Sequence, residues 1–257
     1  LEPRDPLGTL PDARERGTMI HQVFERFVAE GLDVESADAL PALERMAAQA
    51  FAGLDAIGER RDIWLRRFRR AAEMFLRFER ERDTAVLRRN AERKGEWVFP
   101  ELDGFVLSGK ADRIDELRDG TLAILDFKTG GVPKPKDMQN FEAPQLLLEA
   151  AMARAGAFPG IAPRDTSALA YIKIGLGPAA FRERPFSPRK GMTLMQAAEE
   201  IERRLQGHVQ ALLLSAALPM TALIRPAAQN GRRPYPRPYD HLARTDEWTL
   251  TAGVDDR

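Results

Sequence analysis

The stretch Ser108–Gly130, SGKADRIDELRDGTLAILDFKTG, most restricts what this chain can fold into. Val106–Glu116 and Leu122–Lys128 alternate as strands do, and Arg118-Asp119-Gly120 between them is turn chemistry. A three-residue loop with Gly120 in the left-handed conformation is a favoured hairpin connection. It pairs Leu117 with Thr121 and, counting back, sets Asp112 opposite Asp126, with Asp115 on the other face. A two-residue turn would reverse that choice, so the reading depends on register. Residues two apart share a face of a strand, so Asp126 and Lys128 project to the same side.

Two carboxylates and an ammonium therefore converge across one pair of strands. Neighbouring carboxylates repel, and one stays protonated unless a cation neutralises the pair. Hard oxygen ligands with room for water suit Mg²⁺ or Mn²⁺. A lysine beside such an ion positions a water or steadies charge on a phosphoryl oxygen, which is the chemistry of phosphodiester hydrolysis. The bland alternative is a surface ion pair between Asp126 and Lys128. Against it, Ala123, Ile124, Leu125 and Phe127 mark a buried strand, and buried charges usually carry a function.

Asp112 followed by Asp126-Phe127-Lys128 resembles the D…(D/E)xK signature of the PD-(D/E)XK nuclease superfamily. GTMIHQVFE at Gly17–Glu25, GKADRID at Gly109–Asp115, LDFKTG at Leu125–Gly130 and PQLLLEA at Pro144–Ala150 narrow the likeness to the RecB-like nuclease domain. The nearest resemblance is to the C-terminal nuclease domain of the B subunit of the bacterial AddAB helicase–nuclease, over about residues 8–250. It implies a restriction-endonuclease-like α/β core, a mixed sheet flanked by helices, behind a helical N-terminal extension. The implied core order is helix, three-strand meander, helix, strand. It also implies Mg²⁺ or Mn²⁺ held by His21, Asp112, Asp126 and the Phe127 carbonyl, with Lys128 positioning the attacking water. Gln145 would hydrogen-bond substrate or water. The family's Gln-x-x-x-Tyr has Glu149 at its last position here, which puts the tyrosine's role in doubt. The implied setting is the bacterial cytoplasm, beside an AddA-type helicase subunit, cutting the unwound 5′-ended DNA strand in double-strand-break repair.

Composition adds boundaries. The 257 residues suffice for one large domain or two small ones. The expectation is a single nuclease domain: a helical part over about 8–92, an α/β core with a closing helix over 93–217, and a tail over 218–257. Opening at Leu1 in a Pro/Asp-rich segment, the chain reads as a piece of a longer protein. Zero cysteines exclude disulfides and the four-cysteine iron–sulfur staple of many similar domains. No run is apolar enough to span a bilayer and no signal peptide opens the chain. Basic and acidic residues both total 39, so net charge argues neither for nor against nucleic acid. Thirty-two of the basic residues are arginine, which suits phosphate contacts or reflects an arginine-biased genome.

Apolar spacing predicts helices over 11–30, 38–54 and 61–91. The third carries a buried stripe of Trp64, Phe68, Ala71, Phe75 and Phe78, with Arg66, Arg67, Arg69 and Arg70 on a solvated face. Glu96–Phe99 is expected as the first strand, 138–155 as a helix and 168–174 as a strand. After a Pro/Gly-rich excursion over 175–191, a helix over 193–215 turns Leu194, Ala198, Ile201, Leu205, Val209 and Leu212 to the core. Glu25 is a weak site candidate; Glu92 and Glu96 precede or open the first strand, where the resemblance allows another acidic group, but a surface charge is the commoner reading of either. Gly104–Lys110 imitates the start of a phosphate-binding loop, but Ala111 follows where Ser or Thr is needed, and no helix begins there. Arg225–Tyr239 interleaves arginines with Tyr235 and Tyr239, fitting single-stranded DNA or a proline-rich strap.

Overall fold

The computed structural model describes residues 13–52, 58–175 and 181–215. The Arg225–Tyr239 segment and the rest of the tail lie outside the described residues. Three helices come first: α1 (Ala13–Ala29), α2 (Ala39–Ala50) and α3 (Gly58–Asp83). Strands β1 (Val86–Phe99), β2 (Phe105–Leu117) and β3 (Leu122–Lys128) follow as an antiparallel meander. The short α4 (Pro135–Gln139) and α5 (Gln145–Arg154) carry the chain to β4 (Thr166–Ile174), which runs parallel to β3. An edge strand, β5 (Phe181–Pro185), and a closing helix, α6 (Leu194–Val209), complete the described fold. The sheet is mixed, in the order β1-β2-β3-β4-β5, with helices on both faces. That is the restriction-endonuclease-like α/β arrangement, and its core order matches the expected one.

Alternation along the central strands sets the two layers. Leu125, Ala170, Ile172 and Ile174 join the core under α1–α3, where the Phe24 and Phe75 rings stack with centroids 4.3 Å apart. Each such ring taken out of water contributes about 2–3 kcal/mol. Ile114, Leu122, Ile124, Leu169 and Tyr171 face the opposite core with α5 and α6. In α3 the expected stripe is buried or half-buried while Arg66, Arg67, Arg69 and Arg70 are exposed; Arg69 pairs with Glu44 and Glu73. Thr193 caps α6: its hydroxyl accepts from the Gln196 amide as the Gln196 side chain accepts from the Thr193 N–H.

The turn has the expected register. Gly120 has φ +87°, Leu117 N–H donates to the Thr121 carbonyl at 2.9 Å, and Arg113 pairs with Leu125. One further step along the same register places Asp112 opposite Asp126. Asp115 falls on the α3 face, where the buried Arg113 donates to it and to Glu79. Arg82 also donates to Asp115, and Arg89 to Glu79, both at 2.8 Å. This ion network ties α3 to β1 and β2.

Several boundaries differ from the sequence reading. The helix expected to reach residue 91 stops at Asp83, and β1 runs from Val86 rather than starting at Glu96. Arg88, Arg89, Asn90, Glu92, Arg93 and Lys94 look like a continued charged helix, but pairing along β2 overrides local propensity. The helix expected over 138–155 is two, parted at Asn140–Pro144, where Phe141 has φ +64° and Pro144 has no amide hydrogen to offer a helix. β5 lies inside the stretch read as an excursion. Its polar sequence and terminal proline are tolerated because it lies at the sheet edge. Leu212, expected in the core, is exposed, because Gln210–Leu214 leaves α6 as a π turn. Gly104 lies in a turn with φ +72°, and Phe105–Lys110 opens β2 as continuous strand. No helix among the described residues is long and apolar enough to cross a membrane.

Candidate active site

Asp112, Asp126 and Lys128 meet just past the last β2–β3 pair, Arg113 with Leu125. One Asp112 carboxylate oxygen accepts from the Phe127 N–H at 2.9 Å, fixing it to the backbone between Asp126 and Lys128. The Lys128 ammonium donates to Asp126 Oδ1 at 2.9 Å and to Gln145 Oε1 at 3.1 Å, and lies 5.7 Å from the centre of the Tyr171 ring. Gln145 Nε2 donates to Asp126 Oδ1 at 2.5 Å and to Glu149 Oε1 at 3.1 Å. Gln145 opens α5, and Glu149 sits one turn later on the same side of that helix.

His21 arrives from α1. Its Nε2 lies 3.2 Å from Asp112 Oδ2, and its ring meets the Phe127 ring edge to face at 5.8 Å. Gly17, one turn earlier, makes this approach possible. A Cβ there would sit 2.8 Å from Thr129 Cβ, directly after the active strand. The Gly17-x-x-x-His21 spacing thus has a steric cause: the glycine lets α1 close on the end of β3, and the histidine then reaches Asp112.

Two acids add to the expected set. Glu92, read from sequence as a surface charge, has φ +43° in β1, and the β1–β2 register sets it opposite Asp112. It forms a cluster with His21 and Glu25 whose ligand atoms all lie within 4.8 Å of one another, and Lys110 Nζ contacts its Oε1 at 2.5 Å. Glu25 is thus part of the same cluster, whereas Glu96 is an exposed surface charge as read. Glu149 is the other addition, a buried acid within the apolar run Leu146–Ala153 of α5. The pattern LLLEAAMA was the signal that would have found it.

Charge crowding leaves its mark on the acids. Burial first, and then the Asp112 charge, push Asp126 up to about 6 against the pull of Lys128 and Gln145. Burial drives Glu149 up to about 8, assisted by the Asp126 and Asp112 charges. Burial and the Glu92 carboxyl raise Glu25 to about 7. Burial disfavours the His21 imidazolium, but its hydrogen bond to Asp112 and the surrounding acids outweigh that and raise its value. For Asp112, burial is overcome by His21, the Phe127 amide and Lys128, so its value is lowered. Glu149 Oε2 is buried without a hydrogen bond. Asp126 Oδ2 also receives none of acceptable angle, although Lys128 Nζ lies 2.7 Å from it. A carboxylate pair under mutual repulsion, beside a buried Glu149 oxygen without a hydrogen bond, fits a divalent cation bound by oxygen.

The family model of the PD-(D/E)XK nuclease superfamily matches residues 2–232. The chain is similar to an uncharacterized protein of Rickettsia typhi, 27% identical over 184 residues, covering 68% of the chain and 21% of that protein. Uncharacterized proteins of Rickettsia bellii (25% over 153 residues, 59% of the chain and 18% of that protein) and Rickettsia conorii (24% over 157 residues, 59% and 19%) are also similar. The chain spans about a fifth of the length of these curated relatives. A match along nearly the whole chain, over a sheet whose second and third strands carry the Asp112 and Asp126-Phe127-Lys128 pattern, establishes that the chain belongs to the PD-(D/E)XK nuclease superfamily.

Proposed function

We propose that this domain is a Mg²⁺- or Mn²⁺-dependent deoxyribonuclease that hydrolyses single-stranded DNA ends. On this reading it works beside an AddA-type helicase in bacterial double-strand-break repair. The supporting observation is the Lys128 ammonium, held between Asp126 and Gln145 one strand from Asp112. Asp112, Asp126, the Phe127 carbonyl and His21 would hold the cation. When bound, it would supply charge neutralisation at the scissile phosphate and a more acidic water.

The chain's own residues have separate tasks. Lys128 cannot accept a hydrogen bond, so it orients a water with its lone pair toward the ammonium or steadies charge on a phosphoryl oxygen. The Gln145 carbonyl oxygen and the Asp126 carboxylate fix the direction in which that ammonium points. His21 braces Asp112 from the α1 side. The helicase setting rests on the resemblance of the four sequence blocks to AddB, and the bacterial cytoplasm follows from that setting.

Lys128→Ala tests the reading on single-stranded DNA with Mg²⁺. Contacts along the phosphate backbone supply most of the affinity, so DNA binding is expected to change by about threefold or less. Loss of a group used mainly in the transition state is expected to lower the cleavage rate by about two orders of magnitude or more. Undiminished cleavage would remove Lys128 from the mechanism. A wild-type domain that binds DNA but never cleaves it in Mg²⁺ or Mn²⁺ would point instead to a DNA-holding scaffold.

A further inference from the structure

We propose that Glu149 is a positioning residue that locks the Gln145 side chain with its carbonyl oxygen toward Lys128 and its amide nitrogen toward Asp126. The inference deepens the nuclease reading and rests on it for its catalytic consequence, but not for the geometry itself.

Three contacts define the Gln145 amide. Lys128 can only donate, so the atom 3.1 Å from its ammonium is the amide oxygen. The other end donates to Asp126 Oδ1 and Glu149 Oε1, both acceptors. A reversed amide would set Oε1 against two carboxyl groups and Nε2 against an ammonium, so the network permits one orientation. Gln145 stands on the first residue of α5 and is only partly buried, so helix packing leaves its rotamer loosely held. Glu149 restrains it from within the same helix, one turn away, independent of what Asp126 is doing. Any cation drawing on Asp126 leaves the Glu149 contact in place.

A space-filling role for Glu149 does not account for its chemistry. Leu146, Leu147, Ala150, Ala151 and Met152 around it in sequence are buried and apolar. An acid among them costs a few kcal/mol unless hydrogen-bonded. Among the described residues, the hydrogen bond to its side chain comes from Gln145. An apolar residue of the same size would fill the place more cheaply, so the carboxyl group is explained by what it holds.

Two measurements on the whole chain test this. The first is metal-free ¹⁵N NMR of the Gln145 side-chain amide, assigned by its loss in Gln145→Leu. Glu149→Gln keeps an acceptor in reach and is expected to leave solvent exchange of the amide protons within about threefold of wild type. Glu149→Leu removes the acceptor, and Glu149→Asp withdraws it by one methylene. Both are expected to speed exchange by about tenfold or more. Glu149→Asp keeps the test decisive if the leucine variant fails to fold. Equal exchange in wild type and the folded variants would overturn the proposal.

The second is a kinetic cycle with DNA varied from below KM to saturation. Glu149→Leu is expected to lower kcat by about tenfold or more with little change in KM, and Glu149→Gln to restore it. In a Gln145→Leu background, Glu149→Leu is expected to lower kcat no further, since its effect passes through the missing amide. Multiplying losses would overturn the positioning role. Should the wild type not cleave DNA at all, the nuclease reading fails and the amide exchange alone decides whether Glu149 holds Gln145.

Discussion

Asp126→Asn should make the metal-free protein more stable at neutral and alkaline pH while destroying the proposed site. Asp126 is 1% exposed and holds its proton up to about pH 6, against an ordinary value of 3.8, because burial and the Asp112 charge both oppose ionisation. The pull of Lys128 is already included in that value. With the folded-state value raised, the stabilising proton is fully retained below pH 3.8 and its contribution is lost as pH rises through about 6. At about 1.4 kcal/mol per pH unit, the gap corresponds to about 3 kcal/mol at pH 8, paid by the wild type and avoided by asparagine. For a domain this size, that moves Tm by about 6–12 °C. Asparagine keeps an oxygen for the Gln145 N–H, and the half-exposed Lys128 turns to water.

The assay is denaturant unfolding in EDTA at pH 5, 6, 7 and 8. The stability gained by Asp126→Asn should be about half its full size at pH 5, rise further at pH 6 and level off by pH 7–8. Adding Mg²⁺ at about 100 times its dissociation constant would return about 2.7 kcal/mol to the wild type alone, closing most of the gap. A variant less stable than wild type at pH 8, or a difference independent of pH, would refute the claim that crowded charge strains this site.

Two further outcomes follow from the scaffold around the site. Gly17→Ala places a methyl group against Thr129 and is expected to cost about 1–3 kcal/mol by denaturant unfolding, with lower cleavage as His21 is pushed from Asp112; unchanged stability would show that α1 does not need this close approach. Arg113→Met leaves Glu79 and Asp115 buried with less positive charge, and is expected to cost about 3–5 kcal/mol; a loss below about 1 kcal/mol would mean that Arg82 and Arg89 suffice.

The parts of the fold legible in the sequence are those fixed by neighbouring residues. Arg118-Asp119-Gly120 sets the hairpin register through its own turn geometry, and from it the placing of Asp112, Asp126 and Asp115 follows by counting. The stripe of α3 is likewise written at helical spacing. β1 was not legible because its identity lies in its partner: a strand with so many charged side chains forms only because β2 offers backbone bonds along its whole length. Glu92 was misread for the same reason. Its neighbours His21 and Glu25 come from α1 and Lys110 from β2, and no local pattern around Glu92 announces them. Glu149 was visible as a departure from Gln-x-x-x-Tyr, but its tie to Gln145 emerges only when the i, i+4 pair is seen turned toward Asp126.

The segment Asp112-Arg113-Ile114-Asp115 shows how one strand serves two electrostatic purposes. Alternation sends Arg113 and Asp115 to the α3 side, where Arg113, Arg82 and Arg89 are ion-paired with Glu79 and Asp115. Around Asp112 and Asp126 the balance is reversed. Glu149, Glu25 and Glu92 crowd near them, with Lys128, Lys110 and a protonatable His21 in opposition. Repulsion among those acids would relax if β2 could slide or twist, because a slip by one residue exchanges its two faces. The ion-paired side makes that slip costly, since it would pull Arg113 and Asp115 from Glu79, Arg82 and the interior. The matched charges on one face of β2 thereby hold the unmatched charges on the other in place, in the arrangement that favours a divalent cation.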